Sequence, residues 1–163
     1  MGLPEFAIHS LPVGGGELAI APIPGRTRHY HADWLRLCDW GPSLVISMTT
    51  QAELNRQGAG SLGSDLANAG IGWLHRPVPD FGVPAADFDW TTIRDQALDR
   101  LGRGQRVLVH CFGGCGRSGM ICLRLMIAAG EDPAAALARL RRVRPCAVET
   151  APQMAWARGG ATA

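Results

Sequence analysis

Residues 106–118 read Arg106-Val107-Leu108-Val109-His110-Cys111-Phe112-Gly113-Gly114-Cys115-Gly116-Arg117-Ser118. The first five residues form a β-prone apolar run, which predicts a buried strand. The glycine-rich part that follows predicts a tight turn. The apolar run from Ser118 to Ala129, ended by Gly130, predicts a buried helix. The stretch therefore predicts a strand, a loop and a helix in succession, which is the repeating unit of α/β folds.

The rest of the chain repeats this alternation. Apolar runs predict strands at 18–21, 44–48 and 72–76, and helices are predicted at 31–38, after Thr49 or Thr50, at 61–69, 87–101 and 133–144, and after Thr150. The strands are apolar throughout, so we expect an α/β fold with a mostly parallel central sheet of about four to five strands flanked by helices. Residues 1–17 are rich in Gly and Pro and are predicted to be an irregular lead-in.

Composition limits the classes of protein that remain. The chain has 163 residues, 47% hydrophobic and 18% charged, which predicts one folded domain over 1–163. All 16 basic residues are arginine, so no reaction here uses a lysine. The arginines are scattered and the net charge is only +2, so no nucleic-acid partner is expected. No membrane helix or signal peptide is expected, because no apolar run is long enough and residues 1–6 lack a basic region. We expect a cytoplasmic monomer.

The loop after the 106–110 strand combines a nucleophile with an anion cradle. Its glycines let successive N–H groups point inward, and the N-terminus of the next helix adds partial positive charge. The same field favours the thiolate form of Cys111. Arg117 can bind two phosphate oxygens, and the Ser118 hydroxyl can stabilise the sulfur as it leaves. A cysteinyl-phosphate intermediate is therefore predicted. The candidate phosphate-binding residues are Phe112, Gly113, Gly114, Cys115, Gly116 and Arg117.

Cleavage of a phosphate monoester also requires a proton donor for the departing oxygen. Asp80 lies in the proline-rich loop 77–84, directly after the predicted strand 72–76. Because loops at the carboxyl ends of parallel strands share one edge of a sheet, the Asp80 loop should meet the Cys111 loop. Asp87 and Asp89 are alternatives, although Asp87 has the features of a helix cap.

These motifs resemble those of a known family. His110-Cys111-x5-Arg117-Ser118 is similar to the signature of the protein tyrosine phosphatase superfamily, and 77–84 resembles the acid loop of its compact dual-specificity and cell-cycle branches, of bacterial type. Residues 144–153 resemble the loop that positions water. The resemblance implies a reaction without metal or cofactor, in which Cys111 attacks phosphorus, Asp80 is general acid and then base, and Gln153 orients water. Glu149 is an alternative to Gln153.

The implied function is a cysteine-dependent phosphatase for phosphotyrosine, and also phosphoserine or phosphothreonine, in proteins. A small phosphate monoester or a lipid phosphate is the alternative substrate, although the loop interior 112–116 has no basic side chain to favour a polyanionic lipid. A phosphopeptide-binding module without catalysis is a second alternative. A sulfurtransferase or arsenate reductase is disfavoured, because neither needs the proton donor Asp80.

Four further features carry expectations. His110 is expected to support ionisation of Cys111 through the hydrogen bonds of the loop. Cys115 is a candidate redox partner that traps oxidised Cys111 as a disulfide. Cys38, Cys122 and Cys146 are expected in the core. The polar cluster 26–31 either borders the pocket and attracts an acidic substrate or forms a solvated turn.

Overall fold

The computed structural model describes residues 6–159. Within them lies a five-stranded sheet of order β1-β2-β5-β3-β4, in which β1 and β2 are antiparallel and the other pairs are parallel. The strands are β1 His9–Val13, β2 Gly16–Ala21, β3 Leu44–Ser47, β4 Gly72–His75 and β5 Arg106–His110. The predicted α/β class and mostly parallel sheet are confirmed.

Helices cover both faces of the sheet. They are α1 Tyr30–Trp40, α2 Gln51–Arg56, α3 Leu62–Asn68, α4 Trp90–Gly102, α5 Gly116–Ala128, α6 Pro133–Val143 and α7 Ala151–Ala157. Alternate strand residues, such as Val107 and Leu108 of β5, point into two separate cores. The first core is shared with α4 to α7 and the second with α1 to α3. None of the helices in the described part of the chain is long and apolar enough to cross a membrane.

The prediction of an irregular lead-in over residues 1–17 is wrong from His9 onward. Residues 9–21 form the β1–β2 hairpin, and residues 1–5 lie outside the described residues. Its two-residue turn is Gly14-Gly15, with φ values of 59° and 97°, which glycine adopts readily and which suits the twist of a hairpin. Pro12 is tolerated because β1 lies at the edge of the sheet.

The carboxyl ends of the parallel strands bring three loops to one edge of the sheet. The loop after β5 leads into α5, the residues after β3 lead into α2, and the long loop 76–89 follows β4. Thr50 caps α2 through the backbone N–H of Glu53. The cap of α4 is Asp89, which accepts from the N–H of Thr92, and not Asp87 as predicted. This edge holds the predicted site.

Candidate active site

Cys111 lies at the end of β5, where the chain turns into α5. It is 3% exposed, and its Sγ is 3.0 Å from Ser118 Oγ in the first turn of α5. The serine hydroxyl can therefore donate to a sulfur anion, as the sequence predicted.

Gly114 must be glycine, because of both its backbone conformation and its surroundings. Its φ is +71°, and a Cβ there would lie 2.6 Å from backbone atoms of Ala21 and Pro22. The Arg144 guanidinium donates to the carbonyl oxygens of Gly113 and Gly114 at 2.8 and 3.0 Å. These bonds hold the two carbonyls on the side of the loop that faces residues 144–148.

Arg117 is buried in a bidentate ion pair with Glu53. Nη1 and Nη2 each donate to a carboxylate oxygen at 2.8 Å, and Nη1 also donates to the Val78 carbonyl at 2.9 Å. Burial opposes the charge of Arg117, but the hydrogen bonds to Glu53 raise its pKa above the ordinary value. Within the described residues its buried Nε has no hydrogen-bond partner. The guanidinium is therefore held rigid and charged. Its unpaired Nε–H and the second Nη2–H, beside Asp80, are the two donors left for an anion.

The sequence reasoning missed the role of Glu53. Burial acts to raise the pKa of this carboxyl, yet the Arg117 guanidinium and Thr50 hold it below the ordinary value, so it stays ionised. Its only sequence signal was the pattern Thr50-x-x-Glu53, which the structure shows as a capping box at the start of α2. That signal points to a helix start and carries no information about Arg117.

The structure brings Asp80 to the predicted phosphate site. Asp80 Oδ1 lies 3.3 Å from Arg117 Nη2, and the Asp80 side chain is 49% exposed. The carboxylate is on a turn closed by the bond from Gly82 N–H to the Pro79 carbonyl, with Phe81 at a φ of +61°. The Asp89 carboxylate instead caps α4 and forms an ion pair with Arg76. Among the three candidate acids, Asp80 is the one that contacts Arg117.

Gln153 and Glu149 occupy different places. Gln153 is fully buried. Its Oε1 accepts from the N–H groups of Glu149 and Thr150, and its Nε2 donates to the Gly82 carbonyl at 3.2 Å. The side chain thus ties the Asp80 loop to α7 and has both ends occupied. Glu149 is the member of the pair that lines the cavity at the phosphate loop.

His110 is buried beneath the loop in a chain of hydrogen bonds. Trp73 Nε1–H donates to Ser47 Oγ at 2.8 Å, and that oxygen lies 2.5 Å from His110 Nε2. With the Ser47 hydroxyl donating, the other nitrogen, Nδ1, carries a proton toward the Cys111 carbonyl at 3.4 Å. Burial lowers the pKa of His110 to about 4. The imidazole is therefore neutral near pH 7 and positions the Cys111 backbone without supplying positive charge.

The buried His110 should make the protein sensitive to acid. Its pKa is about 4 in the folded state against an ordinary 6.5, so the unfolded chain binds the proton first as the pH falls. Stability should then drop by about 3 kcal/mol between pH 6.5 and 4, and be unaffected by this group above pH 7. Urea unfolding of the parent and of His110→Gln across this range measures the effect. The parent should lose more stability than the variant, whereas exposed His31→Gln should follow the parent.

Two predictions about cysteines are wrong. Cys115 is in a disulfide with Cys146, with the Cα atoms 5.2 Å apart, so its partner is not Cys111. Cys146 is exposed and not a core residue. Cys111, Cys38 and Cys122 are free. Sequence spacing could not indicate this pair, because the two cysteines are 31 positions apart and the residues between them contain all of α5 and α6, which fold back toward the loop.

A cavity of about 400 Å³ opens over the loop. It is lined by Arg26, Asp80, Phe81, Phe112, Gly113, Cys115, Arg144 and Glu149. The Arg26 guanidinium lies over the Phe112 ring, 5.5 Å from its centroid, and no carboxylate pairs with it among residues 6–159. Of the two interpretations of the polar cluster 26–31, the pocket border therefore applies to Arg26. In the same residues, no group of three or more His, Cys, Asp or Glu side chains could hold a metal ion.

Comparisons with known proteins give matches over most of the chain. The family model described as "Swiss Army Knife protein, DSP-PTPase phosphatase domain" matches residues 23–159. The chain is 31% identical to mouse (Mus musculus) cyclin-dependent kinase inhibitor 3 over 133 residues, which are 78% of this chain and 63% of that protein. It thus spans less than two thirds of the curated relative.

Two solved structures are similar in fold. Tk-PTP in its active form has 31% sequence identity and a TM-score of 0.69, with 90% of this chain and 91% of that chain covered. Kinase associated phosphatase with its catalytic-site cysteine replaced by serine has a TM-score of 0.79 over 94% of this chain and 93% of that chain. At 22% identity the latter shows the shared fold alone.

Proposed function

This chain belongs to the dual-specificity branch of the protein tyrosine phosphatase superfamily, and from that premise we propose that it hydrolyses phosphate monoesters through Cys111. The proposed substrates are phosphotyrosine, and also phosphoserine or phosphothreonine, in proteins. The observation that carries the proposal is the meeting of three groups at the loop that follows β5. They are a thiol 3.0 Å from a serine hydroxyl, a buried arginine, and a carboxylate 3.3 Å from that arginine.

The first step forms the bond between Cys111 Sγ and phosphorus. The thiolate attacks, the bond from phosphorus to the ester oxygen breaks, and Asp80 donates its proton to the departing oxygen. Arg117, held by Glu53, binds the equatorial oxygens as charge develops on them, aided by the loop N–H groups. The products are an alcohol or phenol and a cysteinyl phosphate.

The second step returns the enzyme to its starting state. Water attacks phosphorus, Asp80 takes the proton of that water, and the sulfur–phosphorus bond breaks. Cys111 leaves as a thiolate, which the Ser118 hydroxyl stabilises by donating to it at 3.0 Å. Gln153 contributes by holding Gly82, and therefore the turn that carries Asp80, in place.

The proposal is tested with p-nitrophenyl phosphate and a panel of phosphopeptides and small phosphorylated metabolites. We expect hydrolysis in the presence of a chelator, inhibition by vanadate, and phosphate on the Cys111 peptide after acid quench. Binding of phosphopeptides without turnover would instead support the binding-module alternative. Turnover of small phosphorylated metabolites without turnover of phosphopeptides would indicate a small-molecule substrate in place of a protein.

Asp80→Asn should affect substrates according to their leaving group. A poor leaving group, such as an alkyl alcohol or an unsubstituted phenol, needs the proton, so its kcat should fall by about 10²- to 10⁴-fold. A highly activated phenol leaves without it and should lose far less in the first step. Steady-state kinetics over a series of aryl phosphates measure the difference. Asp87→Asn is the matched control and should leave kcat unchanged for every substrate in the series. If Asp80→Asn lowered kcat equally for all of them, Asp80 would not be the general acid.

Arg26 should favour substrates with an acidic group beside the phosphate. Its guanidinium is at the cavity and free of ion pairs among the described residues, so an acidic neighbour of the phosphoresidue can pair with it. Arg26→Ala should raise KM about two- to five-fold for acidic phosphopeptides, with little change for p-nitrophenyl phosphate, and salt should reduce the difference. Arg103→Ala, an exposed arginine paired with Asp99 on α4, controls for net charge. An equal KM change for acidic and neutral peptides would contradict this role.

A further inference from the structure

Residues 144–148 are attached to the outer side of the phosphate loop at three places. Arg144 donates to the carbonyls of Gly113 and Gly114. The Val148 N–H donates to the Cys115 carbonyl at 3.1 Å. The third link is covalent, the disulfide between Cys115 and Cys146. All three act on consecutive loop residues 113–115, whose N–H groups belong to the proposed anion cradle.

The disulfide is placed where thiol–disulfide exchange can occur. Cys146 is exposed and Cys115 is partly exposed, so a small thiol can reach the sulfur of Cys146. Arg144 Nη2 lies 3.7 Å from Cys115 Sγ, and a nearby guanidinium favours the thiolate form in which a cysteine exchanges. Cys122, by contrast, is fully buried, and burial raises the pKa of its thiol.

We propose that Cys115 and Cys146 form a redox modification site that locks the phosphate loop in its binding shape when oxidised and loosens it when reduced. The effect on turnover rests on the proposed phosphatase function, whereas the lock itself does not. In the disulfide form, Cys115 is also unavailable to an oxidised Cys111. The site therefore holds the cradle and keeps a neighbouring thiol away from the nucleophile.

The exchange with oxidised glutathione balances in two steps. The Cys146 thiolate attacks one glutathione sulfur, forms a mixed disulfide and releases one glutathione thiolate. The Cys115 thiolate then attacks the Cys146 sulfur, forms the protein disulfide and releases the second. Two protein thiols are oxidised, one glutathione disulfide is reduced to two thiols, and the two protein protons go to solvent or to the released glutathione.

The first experiment tests the lock without reference to activity. The full chain is equilibrated in glutathione buffers of graded potential, free thiols are blocked, and disulfide-linked peptides are identified by mass spectrometry alongside thermal melts. We expect the Cys115–Cys146 disulfide to form and break reversibly as the potential of the buffer changes. Reduction of the disulfide should lower Tm by about 5–10 °C. Cys146→Ser should show the lower Tm at every potential, and Cys38→Ser should follow the parent. Absence of the linked peptide, or a Cys111–Cys115 peptide in its place, would overturn the proposal.

The second experiment tests the coupling to the loop. The same samples, cleared of glutathione, are assayed with p-nitrophenyl phosphate and for inhibition by inorganic phosphate. Reduction should lower kcat/KM and weaken phosphate binding by about ten-fold, because misplaced binding groups lose transition-state contacts, and re-oxidation should restore both. Cys146→Ser should match the reduced parent and not respond, which separates this effect from oxidation of Cys111. A reversible disulfide with unchanged phosphate binding would refute the coupling. If the protein shows no turnover but its affinity for phosphate still depends on the disulfide, only the phosphatase function is refuted.

Discussion

Cys111→Ser should lower kcat/KM for p-nitrophenyl phosphate by about 10⁴-fold or more, the scale of loss seen when a catalytic nucleophile is removed. The serine hydroxyl is not ionised at neutral pH and is a weak nucleophile without a base. In this site the neighbour of Cys111 Sγ is the Ser118 hydroxyl at 3.0 Å, which donates well to an anion but is a poor base. Steady-state assays and acid-quench peptide analysis measure the loss and the missing phosphocysteine.

The same variant should keep its fold and its anion site. Serine is nearly isosteric with cysteine, so Tm should shift by only a few degrees, and vanadate or phosphate should still bind through the loop and Arg117. Cys38→Ser, at a free cysteine on α1, is the matched control for the chemical change and should retain turnover. Substantial turnover by Cys111→Ser would show that another group forms the bond to phosphorus.

Arg117→Lys should lower kcat/KM by about 10³-fold although the charge is kept. Lysine is a point charge and cannot bind two oxygens in the plane that Glu53 imposes through its 2.8 Å bonds. Loss of one donor to a developing oxyanion lowers kcat by about 10²- to 10³-fold. Lysine also donates fewer hydrogen bonds to the buried Glu53 carboxylate than arginine does. Initial rates and phosphate binding, read together with urea unfolding, separate the kinetic loss from the loss of stability.

A double-mutant cycle with Glu53→Gln tests whether the two residues act as a unit. The substitution keeps the size of the side chain but removes the charge that holds Arg117, so this variant should lose activity by a smaller factor. The combined loss in the double variant should be less than the product of the two single losses. The exposed pair of Arg103 and Asp99 is the control, where Arg103→Lys should change neither activity nor stability by more than about 1 kcal/mol. Multiplicative losses at the buried pair would mean that Glu53 does not act through Arg117.

Several assignments could be predicted from the sequence because each depends on residues that are close together along the chain. The strand, the glycine turn and the helix at 106–128 follow from residue types within a few positions of one another. Asp80 could be placed because the topology of a parallel sheet brings successive loops to one edge. The contacts of Gln153 lie beyond such reasoning. Thr150-x-x-Gln153 is also a capping box, and the structure uses the glutamine side chain to cap α7 and to hold Gly82.

By itself the sequence predicted the proposed nucleophile, the cradle and its arginine, since Cys111 to Ser118 lie in one turn whose shape depends on its own glycines. Tertiary structure alone decided which distant residues support that turn. Glu53 is 64 residues from Arg117, and Cys146 is 31 residues from Cys115. Arg26 comes to the same cavity from the loop after β2. Such pairs depend on strand order and on how helices pack back against the sheet, and no spacing along the chain encodes the resulting distances.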